Sequence, residues 1–527
     1  MRKVTFTLKL GFVTALMLSS IYSFSQELAK GYVFNDENGN SKKQRREEGL
    51  AGVSISNGRD VVQTDEKGYY EISIEDGQLL FVIKPPGYNV PLDSLNRPQY
   101  FYIHKPTGSP ELKYPGSDPT GDLPKEINFA LTKTEEKEEF TALIFGDPQP
   151  YTLEEVDYFD RGIVSEVAGI EDVVFGLSLG DLVGDDLTLF TPYSKAVSRV
   201  GVPWYNVMGN HDENYDVESD ELSDETFEAN FGPSTYAFNV GKVHFIVIDD
   251  ILWPDPRDGQ SYWGGLRADQ LEFLRNDLKF VPKDHLIVMS MHIPFFEQGD
   301  SFRDQDRQAI FDMLEDFPYT LSLSAHTHLQ RQDYFTKVEG WKQDTPHHHY
   351  NVGTTSGDWY KGVLNEEGIP VSTMRDGTPK GYAFIHFTGN QYKVNYQVAG
   401  KSNAYQMEVF APKVLEKGKR TTAGIFVNFF MGSKGDEVLI GIDGGEMRPM
   451  VWVEDYDPSY LIDLYQWDTT ESLLDGKRPS NPAQSKHLWR INIPNGLEAG
   501  EHTVKVQATD RFGQVHVGIQ KITVLEK

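Results

Sequence analysis

The chain has no cysteine. That absence removes disulfides, thiol nucleophiles, thiolate metal ligands and lipid attachment through a thiol, so any metal must be held by nitrogen and oxygen. Positive charge is also scarce. The 50 Lys and Arg residues face 79 Asp and Glu, a formal net charge of −29 over 527 residues. A field of that sign repels phosphate backbones and argues against bulk nucleic acid as a partner. Beyond the N-terminus there is no apolar run approaching the ~20 residues of a membrane span.

The first residues carry Arg2, Lys3 and Lys9, then an apolar run over 10–18 and small residues up to Ser25. This is the three-part layout of a secretory signal, so residues 1–25 read as a signal peptide cleaved before Gln26. The mature chain is therefore expected in the periplasm or outside the cell. At ~100–200 residues per domain, its length predicts about three domains.

Residues 30–83 alternate apolar and polar positions in short runs with turn residues between them, 84–123 read as an irregular return to a last strand at 127–131, and 26–134 as a whole read as a small β-sandwich. A charged stretch, Glu135 to Glu139, reads as a linker. From residue 140 to about 400 the pattern becomes strands alternating with helical periods, which predicts an α/β domain. Strands are expected at 141–145, 173–179, 204–208, 235–240, 243–248, 286–291 and 319–324. Helices are expected at 154–168, 187–200, 268–279 and 304–316. Beyond residue 400 the helical signal fades, and residues 401–527 read as a second β-sandwich.

Hard-ligand residues follow several of these strands: Gly146-Asp147-Pro148-Gln149, Gly180-Asp181, Gly209-Asn210-His211-Asp212, His292, and His326-Thr327-His328. The ends of strands in open α/β sheets are where sites form. This ordered set resembles the calcineurin-like metallophosphoesterase superfamily over roughly residues 140–395. The resemblance implies a four-layer α/β/β/α sandwich, flanked here by N- and C-terminal β-sandwiches. It also implies a dinuclear metal centre in which Asp181 bridges the ions, since two cations ~3.5–4 Å apart need a carboxylate between them. By the same resemblance Asp147 and His328 serve one ion, with Gln149 open as its neutral amide ligand, and Asn210, His292 and His326 serve the other. Such donors suit Mn, Fe, Zn, Ni or Co. A metal-bridging hydroxide would attack phosphorus in line. His211 would act at the leaving-group oxygen, with Asp212 holding its ring and raising its pKa.

Two positions depart from the usual pattern. The first motif commonly reads Asp-x-His, whereas Gln149 stands here. A subset of protein phosphatases in the superfamily is similar in having Asp-Pro-Gln, and the change implies weaker binding or altered preference at that ion. Ala325 replaces the Gly that often precedes the first His of the last motif. Asp185 reads equally as a hydrogen-bond acceptor for a ligand His or as a solvated loop acid.

The segment His347-His348-His349 reads as a strand, with either two of the histidines facing a third metal or one His lining the pocket and the others facing the surface. Trp359 and Tyr360 read either as a stacking platform for substrate or as edge packing. Together with residues 376–382, this region resembles a group of exported Bacteroidetes-type phosphoesterases that carry both extra β domains. In the N-terminal domain Asp36, Asn38, Asn40 and Glu47 stand at positions one, three, five and twelve of an oxygen-rich loop. It resembles the calcium loop of bacterial surface repeats, against the alternative of a solvated turn without calcium.

The functional expectation is an exported metal-dependent phosphoesterase acting on small phosphorylated substrates, whether sugar, nucleotide or phosphopeptide, with monoesters and diesters both open. The alternative is a non-catalytic glycan- or surface-binding protein built on the same scaffold.

Overall fold

The computed structural model describes residues 27–296 and 301–526. The expected signal peptide therefore lies outside the described residues. Among them, no helix is long and apolar enough to cross a membrane.

The middle of the chain is built on two sheets. The first contains β1 (Glu139–Phe145), β2 (Phe175–Leu179), β3 (Trp204–Val207), β10 (Gly381–Thr388) and β11 (Gln391–Val398), and the second contains β4 (Tyr236–Val240), β5 (Val243–Val247), β6 (Leu286–Ser290), β7 (Tyr319–Ser324), β8 (Arg331–Phe335) and β9 (His347–Asn351). Their strand orders are β3-β2-β1-β10-β11 and β4-β5-β6-β7-β9-β8. β1–β2–β3 and β5–β6–β7–β9 run parallel, and antiparallel strands close the edges.

Because parallel strands are covered on both faces, they read as continuous apolar runs. In β1, Leu143 and Phe145 face an outer layer made by α1 (Leu153–Phe159) and α2 (Phe190–Ser198), while Ala142 and Ile144 join the core between the sheets. Phe175 packs edge-on to Phe245 of the other sheet, with ring centroids 5.1 Å apart. On the far side, α3 (Ala268–Asp277) and α4 (Asp304–Met313) cover the second sheet, through Phe273, Leu274, Ile310 and Phe311. These are the four layers expected from the motif set.

Two four-stranded sheets make up the N-terminal domain. It is fastened to the middle domain by Lys105, whose buried ammonium sits 2.7 Å from Glu225 and 3.2 Å from Glu228. The C-terminal domain pairs a four-stranded with a five-stranded sheet. It also contains a helix, Pro458–Thr469, that the sequence analysis did not foresee. Its start carries a recognisable signal, since Asp457 accepts the Tyr460 N–H and Pro458 opens the first turn.

The three consecutive histidines of β9 correct another expectation. None faces the surface: all three are buried. His347 and His349 hydrogen-bond Thr320, Ser322 and Ser324 of β7, and His348 bonds the Tyr392 hydroxyl. A strand interior in the second sheet leaves no solvent face, and hydroxyls partner both ring nitrogens of His347 and His349 and Nδ1 of His348, whose Nε2 is buried without a partner. Burial holds all three below the usual imidazole range.

Candidate metal centre

The strand-end loops bring Asp147, Gln149, Asp181, Asn210, His292, His326 and His328 to one place. Five of these seven, Asp147, Gln149, Asp181, His326 and His328, have positive φ, between 31° and 66°. For L-residues that conformation costs roughly 1–2 kcal/mol each, so the loops hold considerable strain, which clusters at functional sites. Two glycines make the turns sterically feasible. Gly180 has φ +88°, and a Cβ there would lie 2.4 Å from His292 Nδ1; a Cβ on Gly209 would lie 2.1 Å from the Asp181 nitrogen.

The donors fall into two groups. His292 Nε2 lies 3.1 Å from Asn210 Oδ1, 3.1 Å from His326 Nδ1 and 3.3 Å from Asp181 Oδ1. His328 Nε2 lies 2.8 Å from Gln149 Oε1 and 3.9 Å from Asp147 Oδ2. Backbone carbonyls fix the rings. His292 Nδ1 donates to Leu179 O and His328 Nδ1 to Gly357 O. In the neutral ring this leaves each Nε2 bare, facing other acceptors. Asp181, His292 and His326 each offer a ligand atom within 4.8 Å of the others. Asp147 Oδ2 is buried with no hydrogen-bond partner. Converging lone pairs and an orphaned carboxylate oxygen in a buried site are what a cation resolves, so the residues present fit divalent metal.

In the chain alone the electrostatics are correspondingly tense. Burial pushes the Asp147 carboxyl up to about 8. Against the burial cost, Asp181 and Asp147 raise His292 to about 10. Burial and the neighbouring His292 lower His326 to about 3, and burial lowers His328 to about 3. Despite burial, His292 and His211 hold Asp181 below the usual carboxylate range.

His211 stands at the edge of this cluster with a quarter of its side chain exposed. Its Nδ1 is 2.6 Å from Asp185 Oδ1. Against burial, the Asp181 charge and the Asp185 bond raise it to about 9. Here the expected role of Asp212 is corrected. Its carboxylate accepts from the N–H groups of Gly209, Leu182 and Val183 and ties the turn after Asp181 to the Asn210 turn. With three amides on it, that carboxylate is committed to the backbone, and Asp185 takes the His211 ring. The reading of Asp185 as partner to a ligand His gives way to the same contact.

Trp359 stacks on His328 with ring centroids 3.9 Å apart. One of its faces therefore supports a ligand ring and does not meet substrate. Tyr360 is buried and donates to Pro148 O, bracing the first motif. Gln149 Nε2 donates to the Tyr151 hydroxyl at 3.2 Å, leaving its carbonyl oxygen toward His328.

Sequence reasoning missed Asp250. Its carboxylate accepts the N–H groups of His292 and Ile293, setting the loop that carries the ligand His. The signal was present: Asp249-Asp250 follows β5 in the same way that Asp147 follows β1. In the N-terminal loop, Asp36 accepts three backbone N–H groups, from Gly39, Asn40 and Ser41. Glu47 accepts from Gln44 N and Asn38 Nδ2. The loop is thus closed by its own hydrogen bonds.

The sequence matches "Calcineurin-like phosphoesterase" over residues 135–330, with "N terminal of Calcineurin-like phosphoesterase" over 36–114 and "C terminal of Calcineurin-like phosphoesterase" over 349–516. The chain belongs to the calcineurin-like phosphoesterases, metal-dependent hydrolases of phosphate esters, and carries the N- and C-terminal domains that accompany the catalytic one in part of that family. No curated protein matches it. Among solved structures, purple acid phosphatase PPD1 from yellow lupin seeds is similar at 12% identity, covering 71% of each chain with a TM-score of 0.36. GAP50, the anchor in the inner membrane complex of Plasmodium, is similar at 15% identity over 50% of this chain and 86% of its own, with a TM-score of 0.31. The family assignment rests on the three sequence matches.

Proposed function

We propose that the chain is an exported phosphoesterase whose centre holds two divalent ions. The observation that carries this reading is the buried convergence of nitrogen and oxygen ligand atoms: His292 Nε2, Asn210 Oδ1, His326 Nδ1 and Asp181 Oδ1 on one side, His328 Nε2, Gln149 Oε1 and the unpartnered Asp147 Oδ2 on the other. Asp181 Oδ1 belongs to the first group, 3.3 Å from His292 Nε2, and its backbone oxygen accepts from Gln149 N of the second at 2.8 Å, so Asp181 would be the carboxylate shared by the two ions. When bound, Mn, Fe, Zn, Ni or Co ions supply Lewis acidity toward phosphoryl oxygens and a nucleophile drawn from water.

The chain's own residues do the rest. Asp185 holds Nδ1 of His211 and stabilises the imidazolium, so Nε2 carries a proton to the leaving-group oxygen. Leu179 O and Gly357 O fix the ring orientations of His292 and His328. Asp212 and Asp250 hold the two ligand-bearing loops at the spacing the donors require. The substrate is a small phosphate ester, with sugar, nucleotide and phosphopeptide esters the classes to screen. Export through residues 1–25 belongs to the same reading, and a mature protein beginning at Gln26 is its signature.

Phosphate release from a panel of aryl mono- and diesters, with added Mn and with chelator, tests the activity. Release that chelation abolishes and Mn restores supports it. No release from any ester under Mn, alongside retained glycan binding, would instead favour the non-catalytic alternative.

A further inference from the structure

Two cations stand beside the same indole at the rim of the metal centre. The Lys361 ammonium is 5.0 Å and the Arg375 guanidinium 5.6 Å from the centroid of Trp359, the ring that stacks on His328. In a chain of net charge −29, Lys105 and Arg267 sit on carboxylates. Among the described residues Lys361 and Arg375 form no such ion pair: like Lys84 and Lys380, they donate to neutral oxygens. Lys361 Nζ donates to Ser480 Oγ at 2.7 Å, and an Arg375 terminal N–H donates to Thr327 O at 3.1 Å, between the two histidines of the last motif. Arg375 Nε is buried and has no partner.

Both positions are set by one stretch of the C-terminal domain. Gly476 and Lys477 pair with Val363 and Gly362, Ser480 N donates to Asp358 Oδ2 at 2.6 Å, and Ala483 N donates to Arg375 O at 2.9 Å. A second domain thus helps to place two cations, neither of them in an ion pair among the described residues, beside the indole that stacks on His328. A guanidinium edge with an unused donor matches the oxygens of a carboxylate or phosphate, and an ammonium beside it adds charge. The indole is 3.9 Å from the His328 ring and the cations are 5.0 and 5.6 Å from the indole, a setting that suits a second anionic group beside the phosphoryl group under attack.

We infer that Lys361 and Arg375 bind a second anionic group of the substrate, a carboxylate or a further phosphate, and that the preferred ester carries two separated negative groups. This rests on the phosphoesterase reading of the metal centre. It gives the C-terminal domain a direct part in substrate selection.

Three aryl esters of matched shape test it: phenyl phosphate, 4-carboxyphenyl phosphate and 1,4-phenylene bisphosphate. The quantity read is the kcat/KM of each doubly anionic ester relative to phenyl phosphate, taken within each enzyme so that folded fraction cancels. The native protein is expected to favour at least one doubly anionic ester by about tenfold, the scale of one charged hydrogen bond. The ratio should fall toward one in Lys361→Gln and in Arg375→Gln, and below one in Lys361→Glu. Which ester is favoured tells carboxylate from phosphate. A native ratio near one, or a ratio left unchanged by all three substitutions, overturns the inference. Failure of the underlying reading looks different: none of the three esters is hydrolysed under Mn.

Discussion

His211 and Asp185 form a pair, with Nδ1 2.6 Å from Oδ1, while Asp212, the neighbour of His211 in sequence, turns away to three backbone amides. The acid that holds the His211 ring, the proposed leaving-group proton donor, therefore belongs to the loop after Asp181 and not to the Gly-Asn-His-Asp run.

Asp185→Asn should move the basic limb of the kcat profile toward lower pH. In the chain alone, against burial, the Asp181 charge and the Asp185 bond raise His211 above the usual imidazole range, and its acid form is lost as pH rises through the raised value. Removing the Asp185 charge destabilises the imidazolium and lowers the pKa. Because half of the Asp185 side chain is exposed, solvent limits the shift to roughly one unit. A pH profile of aryl phosphate hydrolysis measures it, and an unmoved basic limb would contradict the pairing.

Asp212→Ala should act on the fold before it acts on chemistry. Three buried N–H groups lose their acceptor together, at about 1–3 kcal/mol for an unmet buried donor, and a loss of roughly 3 kcal/mol is expected after relaxation. Thermal melting reads this directly. A variant that melts like the native chain while losing only kcat would restore Asp212 to the His211 ring.

Gln149→Ala should weaken metal retention at the ion served by His328, since the amide oxygen 2.8 Å from Nε2 disappears. Loss of a supporting group at a metal site lowers affinity about 10–100-fold. Competition with a chromophoric chelator would resolve one weakened and one unchanged ion per chain. Equal weakening of both, or of neither, would argue against the partition of donors.

Metal affinity should rise with pH. Asp147 near 8 and His292 near 10 hold protons at neutral pH in the chain alone, and both must be bare to coordinate. Binding therefore releases protons, the more so the lower the pH. Calorimetric titration with Mn in two buffers of different ionisation enthalpy would give net release at pH 7; no release would contradict these protonation states.

Strand-end motifs carried most of the site because they are local. Each Gly-Asp or Gly-Asn turn needs its glycine for steric reasons visible in the structure, so Gly180 and Gly209 mark the site in the sequence itself. The α/β domain was legible because parallel strands buried on both faces read as unbroken apolar runs, while its four layers were implied by the resemblance the motif set carries. What sequence could not supply was pairing across loops. Whether Asp185 or Asp212 meets His211 depends on how the 181 and 209 turns interlock. The burial of His347, His348 and His349 depended on hydroxyls of β7 and β11, which periodicity does not reveal. Trp359 likewise became a support for His328 only once the loop from residue 353 folded back over the last motif. The helix Pro458–Thr469 was missed although Asp457-Pro458 announces it, because strands surround it on both sides.

The central claim is that Asp181 is shared by two ions, and metal content tests it most directly. After equilibration with Mn and removal of free metal, elemental analysis should find two equivalents per native chain and no more than one in a folded Asp181→Ala variant. Two equivalents retained in that variant, or a single equivalent in the native chain, would contradict a dinuclear centre bridged by Asp181.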